Sequence, residues 1–179
     1  MAPICVRPAL ASDISAITRI YAKAVREGTA SFEIEAPDET EMADRQQALL
    51  AGGYPYLVAE QAGATAGYAY VGPYRSRPAY RWTVEDSVYV APQWQGRGIG
   101  RALLDRLIAE ARQRGFRQMI AVIGDSANSA SIELHRALGF RMVGTFDNVG
   151  FKFDRWLDSV LMQRPLGEGS ETKPHISSR

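Results

Sequence analysis

The carboxylate Glu85 stands in the run Val84-Glu85-Asp86-Ser87-Val88-Tyr89-Val90. Val84, Val88 and Val90 alternate there with Glu85, Ser87 and Tyr89, a period of two that predicts a β-strand. Asp86 interrupts the apolar side of that alternation. A carboxylate among Val and Tyr loses hydration, so it is either paired or used. Arg81 is a candidate partner for an ion pair. The other role is proton acceptor, because partial burial raises a carboxyl above its reference of ~4.3 and makes it a better base near neutrality. Just downstream, Gln95-Gly96-Arg97-Gly98-Ile99-Gly100-Arg101 forms a glycine-rich loop that runs into Leu103, Leu104, Leu107 and Ile108. With Ile99, these make an apolar stripe at helical spacing. A helix start has free N–H groups and the positive end of the helix dipole, and glycines let a ligand come close, so the natural guest is a phosphate or pyrophosphate. The alternative is a plain strand-to-helix turn with glycines for tight packing.

Spacing excludes two nucleotide loops. A dinucleotide fingerprint needs a glycine three residues after Gly98, where Arg101 stands, and an acidic residue ~20 positions further on, where none is found. A phosphate loop ending in Gly-Lys-Ser or Gly-Lys-Thr is also missing.

Around these residues the chain reads as one α/β domain over 1–166, followed by a polar stretch, 167–179, expected to be a disordered tail. Ile4 to Arg7 is a strand, and Leu10, Ser12 and Asp13 open a helix with the stripe Ile14, Ile17, Ile20, Tyr21, Ala24 and Val25. Gly28 closes it. A loop with Phe32 follows, then a second helix from Pro37, Asp38 and Thr40 through Met42 and Leu49 to Gly52-Gly53. Tyr56 to Gln61 and Thr65 to Val71 form a hairpin. Pro92 ends the Glu85 strand, Gly115 ends the long helix, and Met119 to Ile123 is an apolar strand. Asn128, Ser129 and Ser131 open a last helix, and Arg141 to Thr145 and Leu157 to Gln163 are two last strands joined by F-K-F-D-R-W.

Composition narrows the partners. The 179 residues carry a net charge of +1, which gives no global field for nucleic acid or an anionic membrane. The lone Cys5 excludes an intramolecular disulfide and is expected in the core. No apolar run is long enough to span a bilayer and no basic-then-apolar leader is visible, so the expectation is a cytoplasmic protein.

Several side chains carry two readings. Phe32 is either a core plug or part of a pocket wall. Arg75 and Arg77 are either solvated or a bidentate site for carboxylate or phosphinate groups. Asn128 suits a helix cap, and His135 is either structural or a group for proton transfer.

Q-G-R-G-I-G after V-Y-V and before L-L-x-x-L-I resembles the acetyl-CoA pyrophosphate loop of the GNAT superfamily of N-acetyltransferases. R-W-T-V-E-D-S-V-Y-V, then A-V-I-G-D-S-A-N-S-A-S-I-E-L-H-R-A-L-G-F, then F-K-F-D-R-W-L-D resemble its phosphinothricin and methionine sulfoximine acetyltransferase branch, from about Ile4 to Leu166. The resemblance implies a mixed, mostly antiparallel sheet that splays to bind acetyl-CoA, with helices on both faces. It implies Glu85 as general base for direct transfer to the α-amino group of a small amino-acid analogue, with His135 assisting and no metal. Val88, Tyr89 and Val90 would meet the pantetheine arm, Gln95, Gly96, Arg97, Gly98, Ile99, Gly100 and Arg101 the pyrophosphate, and Asn128 and Ser131 the second wall of the cofactor cleft. Phe32, Arg75, Ser76, Arg77, Tyr80, Asp86 and Ser87 join Glu85 around the acceptor, and F-K-F-D-R-W closes that pocket or a homodimer interface. Tyr74, in place of the branch's usual Trp, and Pro78 leave the preference among analogues open. Two rivals are a protein or peptide N-acetyltransferase, which the Arg75 and Arg77 pair disfavours, and a non-catalytic CoA-binding sensor, which has no need of Glu85.

Overall fold

A computed structural model describes residues 2–174. Seven strands form one sheet in the order β1-β2-β3-β4-β5-β7-β6. They are β1 (Cys5–Pro8), β2 (Tyr56–Gln61), β3 (Ala64–Pro73), β4 (Thr83–Val90), β5 (Gln118–Gly124), β6 (Arg141–Lys152) and β7 (Arg155–Pro165). The helices are α1 (Ile14–Glu27), α2 (Glu39–Ala51), α3 (Ile99–Gln113) and α4 (Ser129–Ala137). Every neighbouring pair is antiparallel except β4 with β5, which α3 joins as a crossover. The expected α/β architecture, a mostly antiparallel sheet with helices on both faces, is what the chain adopts.

The period of two in β4 sorts its side chains into two layers. Val84, Val88 and Val90 pack with Leu103, Leu104 and Leu107 of α3. Tyr89 packs on the other face with Tyr68, Ile17 and Val25, under α1 and α2. The parallel pairing is short: Thr83 to Asp86 matches Gln118 to Ala121 and stops there. Beyond Asp86 and Ala121 the strands part, β4 staying with β3 as far as Val90 and β5 with β7 as far as Gly124. The β5-facing edge of Ser87 to Val90 is thus left without a sheet partner, inside the domain. This fork is the expected splay.

Three expectations are corrected. β1 is the sheet's edge strand and Cys5 lies exposed on it, outside the core. The F-K-F-D-R-W segment is no loop: β6 and β7 run on into a hairpin whose two turn residues, Phe153 and Asp154, have φ of 53° and 56°. That two-residue turn favours Asn or Gly, and neither is present to announce it. Part of the expected tail is docked, because the Arg117 guanidinium donates to the carbonyls of Gly169 (3.0 Å) and Thr172 (2.8 Å); residues 175–179 lie outside the described residues. Among the described residues no helix is long and apolar enough to cross a membrane.

Candidate active site

The fork encloses a cavity of about 50 Å³. Ser87, Val88 and Tyr89 line it from β4, Val122, Ile123 and Gly124 from β5, Asn128, Ser131 and His135 from the α4 side, and Ala30 from the loop after α1. Asp86 and Ala121, the last paired residues, stand at its base.

Asp86 shares its face with Val84 and is only 7% exposed. Burying a carboxylate there requires a partner. α4 delivers one: His135, 4% exposed, places Nε2 2.9 Å from Asp86 Oδ2. Its Nδ1 donates to the Ser131 carbonyl at 2.7 Å. Burial alone would lower the proton affinity of this imidazole, but the hydrogen bond and charge of Asp86, helped by the Ser131 carbonyl, outweigh it and leave it raised. The other carboxylate oxygen, Asp86 Oδ1, is buried without a partner among the described residues.

Glu85 points to the opposite face. It is half-buried and makes no ion pair among the described residues; the Arg81 guanidinium lies over the Trp82 ring instead. Loss of hydration, and then repulsion from Asp86, push its carboxyl up to about 7. Two adjacent carboxylates thus differ in kind, one fixed in a buried pair and one poised to exchange a proton near neutrality.

The glycine loop opens α3 with Gly98 as N-cap at φ 86°, a left-handed conformation that a side chain resists. Gly96 also has positive φ, 70°, and faces open space. A Cβ on Gly100 would fall 3.2 Å from the Leu134 side chain, so this glycine lets α3 and α4 approach. Ile99 is core, and only its backbone can meet a ligand. Arg97 lies over the Trp94 ring, and neither it nor Arg101 pairs with a carboxylate among the described residues. Gln95 reaches back to the Val90 carbonyl. Asn128 caps α4 by accepting from the Ser131 N–H at 3.3 Å and also lines the fork. Free N–H groups, unpaired cations and an unpartnered strand edge fit a pyrophosphate joined to an extended amide arm. Among the described residues no cluster of three or more His, Cys, Asp or Glu side chains could hold a metal.

The substrate candidates are more scattered. Phe32 packs its ring against Gly124 and Gly150, where a Cβ would fall 2.9 Å and 2.5 Å away, and stays 39% exposed. Lys152, buried, donates to the carbonyls of Gly28 (3.0 Å) and Ser31 (2.8 Å) and so ties this loop to the β6–β7 hairpin. Arg75, Ser76, Arg77 and Tyr80 lie outside the fork, exposed on the connection that enters β4, with the Arg75 guanidinium over Tyr74 and Tyr80.

Residues 17–140 match the sequence profile of the acetyltransferase (GNAT) family. The chain belongs to that family. It is a GNAT N-acetyltransferase with acetyl-CoA as cosubstrate. The chain is 56% identical to the phosphinothricin N-acetyltransferase of Alcaligenes faecalis, over 90% of this chain and 82% of that one. It is 46% identical to the L-methionine sulfoximine/L-methionine sulfone acetyltransferase of Salmonella typhimurium, over 88% and 91%. Among solved structures, a GNAT phosphinothricin acetyltransferase from Sinorhizobium meliloti in complex with acetyl-CoA superposes with a TM-score of 0.94 at 50% identity, covering 97% of this chain and 94% of that one.

Sequence reasoning missed the pairing of Asp86 with His135 and the buried Lys152. The signal for the first is Asp86 on the apolar face of β4; for the second, a lysine between two phenylalanines.

Proposed function

We propose that this acetyltransferase acetylates the α-amino group of a small amino-acid analogue of the phosphinothricin, methionine sulfoximine or methionine sulfone type, by direct transfer with Glu85 as general base. The observation that carries this is Glu85 itself: a half-buried carboxylate, without an ion pair among the described residues and raised to about 7, one residue from the point where the strands part. The named activities of the relatives supply the acceptor class.

Amines titrate at ~8 to 10 and must lose a proton to attack. Bound acetyl-CoA supplies the thioester whose acyl carbon the amine attacks. Glu85 takes the nitrogen proton, directly or through a water, while the acyl C–S bond breaks and coenzyme A leaves as a thiolate that takes up a proton from solvent. The free β4 edge from Ser87 to Val90 offers N–H groups to the oxygen on which charge develops. Gln95 to Arg101 hold the pyrophosphate and Asn128 and Ser131 flank the arm. No acyl-enzyme is needed, and Cys5 is on the outer strand, away from the fork. Arg75 and Arg77, with Ser76, Tyr80, Ser87 and Phe32, take the acceptor's acidic groups and side chain. The enzyme works in the cytoplasm as a homodimer; the dimer is supported by the exposed apolar side chains of the β6–β7 hairpin, Phe146, Val149, Phe151, Phe153 and Trp156.

The test is thiol release from acetyl-CoA with methionine sulfoximine, methionine sulfone, phosphinothricin, a panel of free amino acids and a peptide, comparing wild type with Glu85→Gln. Turnover of the analogues that collapses in the variant supports the reading. Turnover of peptide alone overturns the acceptor class, and tight CoA binding without turnover of any acceptor overturns catalysis.

A further inference from the structure

Four buried side-chain atoms lack a hydrogen-bond partner among the described residues: Gln46 Nε2, Gln61 Oε1, Tyr68 Oη and Asp86 Oδ1. Only Asp86 lines the fork cavity. A buried carboxylate oxygen without a donor is costly, and it persists where a ligand completes it.

His135 cannot be that ligand's partner. A carbonyl and a carboxylate only accept, so Nδ1 carries the proton it donates to Ser131, and Nε2 shares a proton with Asp86 Oδ2. Both ring nitrogens are engaged, so the polar atom of the pair left with acceptor capacity is Asp86 Oδ1, on a residue that lines the cavity. The reaction brings few donors to this place. The thioester's sulfur, carbonyl and methyl have none. The acceptor's amine has N–H groups, and so does the amide nearest the sulfur in the pantetheine arm.

We propose that Asp86 Oδ1 accepts a hydrogen bond from a substrate N–H in the fork, with His135 as the positioning residue that aims the carboxylate. The inference rests on the acetyl-transfer reading above and divides the work of two adjacent side chains. Asp86, anchored on the α4 side, holds an N–H without taking its proton, while Glu85, on the opposite face, takes the proton that leaves the amine. The His135 expected to assist proton transfer acts through Asp86 instead.

Asp86→Leu removes the acceptor oxygen at similar size, whereas Asp86→Asn keeps an amide oxygen for the fork while its N–H₂ faces a neutral His135. Calorimetry would titrate CoA, adenosine 3′,5′-bisphosphate (which lacks the arm) and methionine sulfone into the CoA complex, with thermal melts confirming each variant's fold. For Asp86→Leu the expected result is a loss of about tenfold or more in one arm, with Asp86→Asn within about threefold of wild type. Loss for CoA but not for the bisphosphate assigns the pantetheine amide; loss for the sulfone with CoA unchanged assigns the amine. His135→Leu should follow Asp86→Leu, and His135→Gln, which still offers an N–H to Asp86, should recover most of the affinity. Asp86→Leu within about twofold of wild type in every arm, or CoA and bisphosphate weakened together, overturns the inference. If wild type binds no acceptor, the proposed acceptor class fails, and an unchanged CoA affinity in Asp86→Leu then overturns this inference separately.

Discussion

Asp86 Oδ2 and His135 Nε2 meet at 2.9 Å although 49 residues separate them, and the contact pins α4 to β4 at the last residue before the strands part. The two side chains close the base of the fork with a hydrogen-bonded polar pair where an apolar contact would have sufficed for packing. Its stability carries a sign. The imidazole is raised in the folded protein, so its contribution is complete below the ordinary histidine range and fades as pH rises through the raised value. The melting temperature should therefore fall above neutrality by more in wild type than in His135→Leu. Asp86→Leu should lose about 1–3 kcal/mol in urea titrations at pH 6. Parallel pH slopes in wild type and His135→Leu would show that the pair does not titrate as described.

Glu85 predicts the opposite limb in activity. A base must be ionised, so kcat/KM for the acceptor should drop as pH falls through about 7 and level off above it, until the amine's own titration intervenes. Glu85→Gln should lower kcat by roughly 10² to 10⁴ and leave CoA affinity unchanged. Ionising a carboxyl raised by burial costs stability, present below its unfolded value and lost as pH rises through about 7, so Glu85→Gln should melt higher than wild type at pH 8 and alike at pH 4. A pH profile unchanged in shape by the substitution would remove Glu85 as the base.

The glycine loop separates backbone from charge. Gly98→Ala places a side chain at φ 86°, which costs about 1–2 kcal/mol and tilts the start of α3. CoA binding should weaken with it. Arg97→Ala and Arg101→Ala should leave the fold intact and weaken CoA and adenosine 3′,5′-bisphosphate alike, each variant depending less on salt than wild type. Equal salt slopes across the three proteins would place the pyrophosphate elsewhere.

Much of this site was legible because its cues are local. The alternation around Glu85 and the glycines ahead of the Leu103 and Leu107 stripe each lie within a few residues, and strand, loop and helix follow where those patterns place them. What joins distant segments was not legible. Nothing near Asp86 names His135 as its partner, and a lysine among aromatics does not say which carbonyls it will find. The hairpin was hidden for another reason: Phe153 and Asp154 form its turn without the Gly or Asn that normally marks one, so tertiary pairing of β6 with β7 decided the geometry.

That hairpin sets the assembly prediction. Trp156 is 60% exposed and meets Phe151 edge-on at 5.3 Å, a rigid apolar surface with no cover among the described residues. Sedimentation should find wild type as a dimer and Trp156→Asp shifted towards monomer, by about tenfold or more in dissociation constant. A wild type that sediments as a monomer at all concentrations would end the homodimer reading.

Lys152 predicts how the hairpin speaks to the fork. Its ammonium is buried against the Gly28 and Ser31 carbonyls, and loss of hydration lowers its proton affinity. The bonds hold the loop that places Phe32 against Gly124 and Gly150 and brings Ala30 to the cavity wall. Lys152→Met keeps the stem and removes the donors, leaving two carbonyls unsatisfied at a cost of about 1–3 kcal/mol. Because this loop carries Phe32, which the proposed function assigns to the acceptor, the Michaelis constant for the acceptor should rise severalfold while CoA affinity stays put. Phe32→Ala should raise the same constant, and the double variant should add little, since both act on one loop. Full additivity of the two substitutions would mean that Lys152 acts through something other than Phe32.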